Sequence, residues 1–322
     1  MAVPNLGDLV VTTFENQAAN IADTITNEHA VLNYMARRGN VTSTSSGRQL
    51  WEPVIYGANN SVKWYDNYEV FTPPATQEVV DAAVYDWRQQ GGFIAISGKE
   101  EIMNSGKAEK ISFATARIKQ LMANLKNDAG QSVYSTGTGS GGKEFGGLQL
   151  LVADDPTAAG TVGGISQATN TWWRNYANLG VTGTTSTIGA ALRRAMNVAW
   201  LNVSVGTESP DLITMDANCY NYYESTLQEL VRFTQTEKAD SGFMALKYKN
   251  ADVVYDAYCP TDHAYLLNTD TLFLRAAPGR MWTRGDKRTI QNADYDVIPV
   301  WMMGNLVVNN RRRNGVLKIT VS

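Results

Sequence analysis

The sequence predicts an α+β fold, because stretches with helical periodicity are separated by blocks of strand-like character. Residues 14–38, 107–132 and 187–201 repeat apolar side chains every three or four positions, as amphipathic helices do. Residues 41–97 and 291–322 instead contain runs of β-branched and aromatic residues interrupted by glycine, proline and asparagine. At 322 residues the chain is long enough for one large or two ordinary domains.

Composition excludes several classes of protein. Apolar residues make up 43% of the chain and charged residues 18%, so a folded core is expected and disorder along most of the chain is excluded. The net charge of −3 gives no support for tight binding to a phosphate backbone. No apolar run approaches the ~18 residues that a membrane span needs, and the N-terminus lacks the pattern of a secretory signal.

The first predicted helix, residues 14–38, has its apolar positions on one face, with Arg37 and Arg38 near the negative end of the helix dipole. Gly39 is a suitable stop. Such a helix is either a core element or a terminal arm that lies on another surface, and the spacing does not distinguish the two.

The block at residues 41–97 is rich in aromatic residues: eight occur between residues 51 and 87, about twice the frequency in the whole chain. These aromatics are Trp51, Tyr56, Trp64, Tyr65, Tyr68, Phe71, Tyr85 and Trp87. An isolated two-stranded ribbon is marginal in water and cannot bury such a set. We therefore expect these side chains to pack on the body of the protein or on another chain.

The second half of the chain is expected to continue the α+β pattern after a glycine-rich connector at residues 137–147. LQLLVADD is predicted to be a short strand, and PDLITMD a buried strand that ends in Asp216, which can cap the next helix. The buried face of that helix would use Tyr220, Tyr223, Leu227 and Leu230. The last two strands are joined by RRRNG, in which Asn314 and Gly315 form a good turn pair.

One stretch imitates a phosphate-binding loop. Gly137, Gly142 and Lys143 have the spacing of that motif, but the next residue is Glu144 where a serine or threonine should contact magnesium. The expected strand-loop-helix context is also missing. We therefore expect a connector here and not a nucleotide site.

Other reactive residues give little support for catalysis. His29 and His263 have no partners at metal-ligand or catalytic spacing, so ordinary local hydrogen bonding is the favoured interpretation. Cys219 and Cys259 are interpreted as small buried hydrophobic residues. The basic run of residues 311–313 is either a contact for nucleic acid or an acidic neighbour, or a solvated turn, and the turn is favoured.

The order of these segments resembles that of the major capsid proteins of tailed bacteriophages, which have the Hong Kong 97-type fold. The most specific stretch, residues 134–175, contains the glycine-rich connector, then GGLQLL, then a GGI run followed by WWR. PDLITMDANCYNYYE and the closing DVIPVWMMGNLVVNNRRRNGVLKI also resemble segments of these proteins. The resemblance covers nearly the whole chain and rests on the order of the segments.

The resemblance implies a role for each part of the chain. Residues 1–40 would form an N-terminal arm, 41–97 an extended β-hairpin loop with adjoining peripheral strands, and 98–136 a peripheral domain with a long spine helix. Residues 137–290 would form an axial domain, and 291–322 would return to the peripheral domain as strands. The extended loop would reach over a neighbouring subunit, and the expected contact residues are Trp64, Tyr65, Tyr68 and Phe71.

The resemblance also implies a function. The chain would be a non-enzymatic major capsid protein, without cofactor or metal, that self-assembles as pentamers and hexamers into an icosahedral head shell. The shell would enclose phage double-stranded DNA without sequence-specific binding, and no membrane would be involved. Expected partners are other copies of the chain, a separate scaffolding protein, a portal protein and decoration proteins. Assembly would take place in the host bacterial cytoplasm, and the protein would reside in the virion.

Two other interpretations are compatible with the sequence. An encapsulin-like nanocompartment shell protein would share the fold and enclose cargo enzymes instead of DNA. A nucleotide-dependent enzyme would use residues 137–143, although Glu144 argues against it.

Overall fold

The computed structural model describes residues 29–44, 47–57, 61–69, 78–99, 117, 120–121, 123–125, 127–228, 246–289 and 294–322. Within these ranges the chain forms the mixed α+β fold that the sequence predicts, with two six-stranded sheets. No helix among the described residues is both long enough and apolar enough to span a bilayer.

Among the described residues, four helices exceed one turn. They are α1 (Ala30–Arg37), α2 (described helical residues 117, 120–121, 123–125 and 127–133), α3 (Ile188–Val203) and α4 (Ala217–Gln228). Single helical turns occur at Gly139–Gly142 and Leu148–Leu151, and 3₁₀ turns at Thr171–Trp173, Thr269–Thr271 and Arg311–Arg313.

Sixteen strands lie in the described ranges. They are β1 (Val41–Ser43), β2 (Gln49–Ile55), β3 (Val80–Asp86), β4 (Arg88–Ser97), β5 (Thr161–Val162), β6 (Ile165–Ser166), β7 (Tyr176–Gly183), β8 (Leu212–Met215), β9 (Leu246–Tyr248), β10 (Ala251–Tyr255), β11 (His263–Leu267), β12 (Leu272–Ala276), β13 (Thr283–Arg284), β14 (Arg288–Thr289), β15 (Tyr295–Val308) and β16 (Gly315–Val321).

Sheet I is organised around the long strand β15. Strand β4 pairs antiparallel with residues 295–304 of β15 along one edge. Strands β12, β13 and β14 pair with successive parts of its other edge, and β1 extends the sheet beyond β12. Helix α2 packs against one face, where a Cβ atom on Gly92 would lie 2.6 Å from Leu121 Cδ1. Glycine at this position therefore permits the close approach of helix and strand.

Sheet II has the strand order β7-β16-β11-β8-β10-β9 and is buried on both faces. Alternate residues of its central strands enter two different cores, as the two-residue period of a strand requires. On β11, Ala264 and Leu266 face a core shared with α3 and α4, whereas Tyr265 and Leu267 face a larger core shared with sheet I and α1. Burial on both faces explains why these strands are continuous apolar runs.

The second half contains the predicted helices and the predicted buried strand. Helix α3 buries Ile188, Leu192, Ala195 and Ala199, the residues whose spacing predicts it. Strand β8 ends where expected, and Asp216 caps α4 by accepting a hydrogen bond from the Cys219 backbone N–H (2.9 Å). Such a cap stabilises a helix by about 1 kcal/mol. On α4, Tyr223 is buried and Tyr220 and Leu227 are partly buried, whereas Leu230 lies outside the described residues.

The first two helix predictions are confirmed only in part. Of residues 14–38, the structure describes the last ten, of which Ala30–Arg37 are helical; residues 14–28 lie outside the described ranges. Of residues 107–132, every described residue from 117 onward is helical, and the helix ends at 133.

Two predictions for the second half are wrong. Leu148–Leu151, predicted as a strand, is one helical turn, because a short apolar run fits either a strand or a helix. Glycine is needed just before the turn, since a Cβ on Gly147 would lie 2.4 Å from the Ser132 carbonyl oxygen. The last two strands do not form a hairpin. Strand β15 belongs to sheet I, and β16 pairs with β7 and β11 in sheet II.

The strand pairing within the two sheets does not follow the order of the chain. Strand β16, in the segment expected to return to the peripheral domain, lies in the sheet formed by residues expected in the axial domain. Strands β12–β14, expected in the axial domain, pair with β15 instead. The chain therefore crosses between the two sheets both before residue 290 and after it.

Candidate assembly surfaces

Strands β2 and β3 form a two-stranded ribbon in which Gln49 lies opposite Asp86 and Ile55 opposite Val80. Along β2 the burial alternates strictly: Leu50, Glu52 and Val54 are buried, and the residues between them are exposed. The ribbon therefore has an inward face on the body of the protein and an outward face that the described residues leave uncovered.

The outward face of the ribbon is mostly apolar. Three of its cross-strand pairs are apolar, Trp51 with Val84, Pro53 with Ala82, and Ile55 with Val80, and the fourth, Gln49 with Asp86, is polar. Trp51, Ile55 and Val80 are 62%, 77% and 63% exposed. Monomeric proteins rarely leave such a contiguous patch in water, so this face has the character of an interaction surface.

The inward face is held by specific polar contacts as well as by apolar packing. Glu52 accepts two hydrogen bonds from the Arg275 guanidinium on β12, at 2.7 and 3.2 Å. The Tyr85 hydroxyl donates to the Val308 carbonyl oxygen (2.9 Å), and burial raises the pKa of this phenol. Paired, bidentate contacts of this kind fix orientation. They hold the apolar face of the ribbon outward.

The edge of the ribbon is less suited to a partner than its face. Pro53 lacks a backbone N–H, and proline within a strand is placed with its nitrogen on the unpaired side. A proline at this position blunts the outer edge of β2 against addition of another strand. Contacts made by the ribbon should therefore involve side chains of the outward face.

Three of the four contact residues predicted from the sequence are described, and they lie in the segment that connects β2 and β3. Trp64 and Tyr68 are each 99% exposed, and Tyr65 is also exposed. Phe71 lies outside the described residues. Nearby, Lys63 forms a 2.6 Å ion pair with Glu69. The sequence reasoning overlooked the outward face, which the alternation in residues 49–55 could have identified.

A second exposed apolar surface lies on sheet I, on the face opposite α2. On this face Phe93 lies across from Pro299 and Trp301 across from Gly91. Phe93 is 68% exposed and Trp301 45%. Gly91 is required beneath the indole, because a Cβ atom there would lie 2.8 Å from Trp301 Cε3.

The glycine-rich connector does not have the geometry of a phosphate-binding loop. Gly139–Gly142 is one distorted turn, with Ser140 and Gly141 in the left-handed region (φ 50° and 69°). The Glu144 carboxylate accepts hydrogen bonds from Ser135 Oγ (2.8 Å) and Ser140 Oγ (3.2 Å), so a negative charge occupies the loop. The turn is thus closed by its own side chains.

Both histidines are partly or fully buried and locally bonded. His29 is at hydrogen-bond distance from the Gly130 carbonyl (Nε2 to O, 3.1 Å) and stacks on Tyr258; burial lowers its pKa, against the opposing influence of Asp256. His263 contacts Asp154 (3.0 Å). Burial acts to lower the pKa of His263, but its contacts with Asp154 and the Thr261 carbonyl outweigh burial and leave that pKa raised.

Neither cysteine nor any acidic cluster provides a reactive centre in the part of the chain that the structure describes. Cys219 and Cys259 are buried free thiols, as predicted, and burial raises the pKa of both. No group of three or more potential metal ligands occurs among the described residues.

Arg311 contradicts the interpretation of the basic run as a solvated turn. Its side chain is fully buried and donates to Leu151 O (2.7 Å), Gln167 Oε1 (3.0 Å) and Asn175 Oδ1 (3.0 Å). Burial lowers its pKa to about 10, so it is still charged at neutral pH. Only Arg312 is exposed; Arg313 contacts Glu208 (3.0 Å). Nothing in the local sequence distinguishes the buried arginine from its neighbours.

No protein-family model matches the chain, and no curated protein matches it in sequence. Solved structures do match. A chain of the cyanophage A-1(L) capsid asymmetric unit is 18% identical, with a TM-score of 0.63 over 89% of this chain and 91% of that one. A chain of the native GTA particle capsid is 9% identical, with a TM-score of 0.57 over 89% and 90%.

A third structure, the holo-SrpI encapsulin complex from Synechococcus elongatus PCC 7942, is 10% identical, with a TM-score of 0.53 over 89% of this chain and 86% of that one. At these identities the likeness establishes the fold alone. The chain therefore has the fold of phage capsid and related shell proteins, the Hong Kong 97-type fold expected from its sequence.

Proposed function

We propose that this chain is the major capsid protein of a tailed bacteriophage, which self-assembles as pentamers and hexamers into an icosahedral head shell around double-stranded DNA. The observation that carries the proposal is the ribbon, whose outward face is mostly apolar, exposed and rigidly oriented. Full burial of one large apolar side chain contributes roughly 1.5–3 kcal/mol. Covering Trp51, Ile55 and Val80 with a neighbouring subunit would therefore favour assembly.

The sheet pairing supports an assignment of domains that modifies the one expected from the sequence. We assign the axial domain to sheet II with α3 and α4, including β16. The peripheral domain then comprises sheet I with the spine helix α2, including β12–β14. Residues 1–40 remain the proposed N-terminal arm, whose last helix, α1, packs in the larger core. Residues 49–86 supply the extended loop.

The proposed role is structural and non-enzymatic, and places the protein in the virion after assembly in the host cytoplasm. The net charge of −3 suits a shell that encloses DNA without binding it tightly, because contacts between basic side chains and phosphates dominate a protein's affinity for DNA. Burial of Arg311 removes one of the three charges of the basic run from the surface. We propose a separate scaffolding protein, a portal protein and decoration proteins as partners.

One similar structure supports the proposal of an assembly partner. The procapsid of satellite phage P4, which includes the size determination (Sid) protein, matches with a TM-score of 0.50 and 11% identity over 94% of this chain and 91% of that one. A second protein can therefore act on a shell of this fold.

An encapsulin-like nanocompartment is the second candidate, and the similarity to the SrpI complex favours it. The two functions differ in what the shell encloses. Shells purified from the native source would contain DNA protected from nuclease in the first case and a cargo enzyme in the second.

Electron microscopy and light scattering of the purified chain, alone and with a candidate scaffold, test the proposal. We expect closed shells, or rings of five and six subunits. Replacing Trp64 and Tyr65 together by alanine should reduce assembly and leave the unfolding free energy of the subunit within about 0.5 kcal/mol, since both side chains are exposed. A subunit that remains a compact monomer under every condition, or equal loss of folding and assembly, would contradict the proposal.

A further inference from the structure

The two-residue turn between β5 and β6 contacts the ribbon directly. Val162 pairs with Ile165, so Gly163 and Gly164 form the turn, and both have positive φ (60° and 75°). Glycine adopts such angles without steric cost, which suits it to the central positions of a tight hairpin turn. The Gly163 carbonyl oxygen accepts a hydrogen bond from the Val84 N–H on β3 (2.8 Å). The edge of β3 that does not pair with β2 is therefore bonded to this turn.

Gly163 also fits closely against the inward side of the ribbon. A Cβ atom at this position would lie 2.9 Å from Ala83 Cβ and 3.0 Å from Tyr85 Cζ, which leaves no room for a side chain. The neighbouring glycine differs. Apart from its chain neighbours, no atom of the described residues lies within 4 Å of where a Cβ on Gly164 would be. Of two adjacent glycines with similar backbone conformation, only the first contacts the ribbon.

A ring stack holds the ribbon at a second point. Tyr56, the residue after β2, stacks on Trp172 with ring centroids 4.6 Å apart and ring planes 12° from parallel. Tyr56 lies five residues beyond Trp51, the cross-strand partner of Val84, so the two contacts are about 16 Å apart along the ribbon. Two contacts at this separation fix the direction of the ribbon more firmly than one contact does.

Both contact points are anchored in the body of the protein. Val162 and Ile165 are buried in the larger core, and the Trp173 indole N–H donates to the Val162 carbonyl oxygen (2.9 Å). Trp173 is itself buried and contacts Trp172 edge to face, with ring centroids 5.7 Å apart. The hairpin and its tryptophan pair therefore form a fixed support for the ribbon.

We propose that the β5–β6 turn and Trp172 form a clamp that sets the direction in which the ribbon leaves the body, with Trp172 as a positioning residue that acts through Tyr56. The GGI and WWR runs of the sequence, residues 163–165 and 172–174, supply its two contact points. The consequence for assembly rests on the proposed function, because a ribbon held at one angle presents its outward face to a neighbouring subunit in a single way. Ordering the ribbon before contact also reduces the entropic cost of association.

The two adjacent glycines provide a matched test of the clamp. Gly163→Ala and Gly164→Ala add the same methyl group at nearly the same backbone conformation, but only the first collides with the ribbon. Nitroxide labels at Ile55→Cys on the ribbon and Arg194→Cys on α3, both exposed positions, report the direction of the ribbon in the unassembled subunit. The two native cysteines are buried and stay unlabelled. We expect Gly163→Ala to shift or broaden the distribution of label distances, and Gly164→Ala to leave it unchanged.

Removal of the ring stack tests the second contact point without a steric clash. Trp172→Leu should broaden the same distance distribution. In the unlabelled chain it should raise the subunit concentration needed for assembly, measured by light scattering, at least about tenfold, because a misdirected ribbon loses at least one large apolar contact. Trp172→Phe keeps an aromatic stack and should stay within about twofold of wild type. Tyr56→Leu should reproduce Trp172→Leu, and the two changes together should add nothing further.

Tyr222→Leu is the control for loss of a partly buried ring, because Tyr222 packs on the smaller core, and it should leave the label distances unchanged. Circular dichroism verifies that each variant is folded, and if Gly163→Ala does not fold, Trp172→Leu decides. Unchanged label distances in folded Trp172→Leu subunits, or equal changes in the two glycine variants, would overturn the clamp. A wild-type chain that never assembles contradicts the proposed function, whereas the label distances in the unassembled subunit still decide whether the clamp exists.

Discussion

At the scale of single residues, Arg311 is the most consequential side chain of the interior. It binds three segments that are distant from it in sequence: the helical turn at Leu151, the loop at Gln167, and Asn175 just before β7. All three partners are neutral, so the buried charge is satisfied by hydrogen bonds without a carboxylate. Removing one member of such a network leaves the other groups buried without partners.

We predict that Arg311→Met lowers the free energy of unfolding by about 3–5 kcal/mol, because it removes the donor to the Leu151 carbonyl and Gln167 Oε1 and leaves Asn175 Oδ1 with the Ala153 N–H alone. Arg312→Met is the matched control: it changes the same charge in the same turn at an exposed position, and should cost less than about 0.5 kcal/mol. Urea unfolding of the two subunits measures the difference. Equal effects would mean that the hydrogen bonds of Arg311 contribute nothing to stability.

The two histidines should act in opposite directions when the pH falls. His29 has a folded pKa below its usual 6.5, so the unfolded chain takes up a proton that the folded chain excludes, and acidification costs stability. His263 has a raised pKa, and its contribution is present at low pH and lost as the pH rises. Asp256, Tyr134 and Tyr258 are the titratable groups that face His29.

We predict that His29→Gln reduces the loss of unfolding free energy between about pH 7.5 and about pH 5.5, and that His263→Gln increases it. Urea titrations at several pH values measure both slopes. Identical slopes in wild type and His29→Gln would show that the burial of His29 does not affect its protonation.

At the scale of elements, the two faces of the ribbon should have separable roles. Leu50 and Ile55 lie on the same strand and face opposite directions, buried and exposed. We predict that Leu50→Ala destabilises the subunit by about 2–5 kcal/mol, because it removes a fully buried side chain. Ile55→Ser should leave stability within about 0.5 kcal/mol and weaken assembly instead. The prediction fails if Ile55→Ser destabilises the isolated subunit as much as Leu50→Ala does.

Elements defined by their own periodicity could be predicted from the sequence, and elements defined by distant partners could not. The helical spacing of the apolar residues from Ile188 to Ala199 predicts α3, and Asp216 predicts the N-cap of α4. Both features depend only on neighbours within a few residues. The strand predicted at Leu148–Leu151 was wrong, because a short apolar run fits either a strand or a helix and the sequence offers nothing nearby to choose between them.

The same reason applies to the candidate surfaces. The four predicted contact residues were selected as aromatics in a segment too small to bury them, and the three that the structure describes are exposed. The face that carries Trp301 could not be predicted, since it depends on the register between β4 and β15, two strands about 200 residues apart. The register of two paired strands depends on contacts between residues far apart in the chain, which no local sequence pattern reveals.

At the scale of the whole molecule, sheet II couples the two cores. Neighbouring residues of β11 enter different cores, so neither core can be lost while the sheet remains intact. We predict a single cooperative unfolding transition for the unassembled subunit, with the near- and far-ultraviolet dichroism changing at the same urea concentration. Two separated transitions would show that the cores are independent.

The direct connection from the ribbon to sheet I has a mechanical consequence. Only Trp87 separates the last residue of β3 from the first residue of β4, and β4 is paired with β15 over ten residues. A pull on the ribbon along the axis of β4 therefore loads this ladder in shear. The hydrogen bonds of an antiparallel ladder lie perpendicular to the strands, so under shear they bear the load together instead of breaking one after another. The ribbon is thus anchored in a strand pairing that is well suited to resist tension along β4.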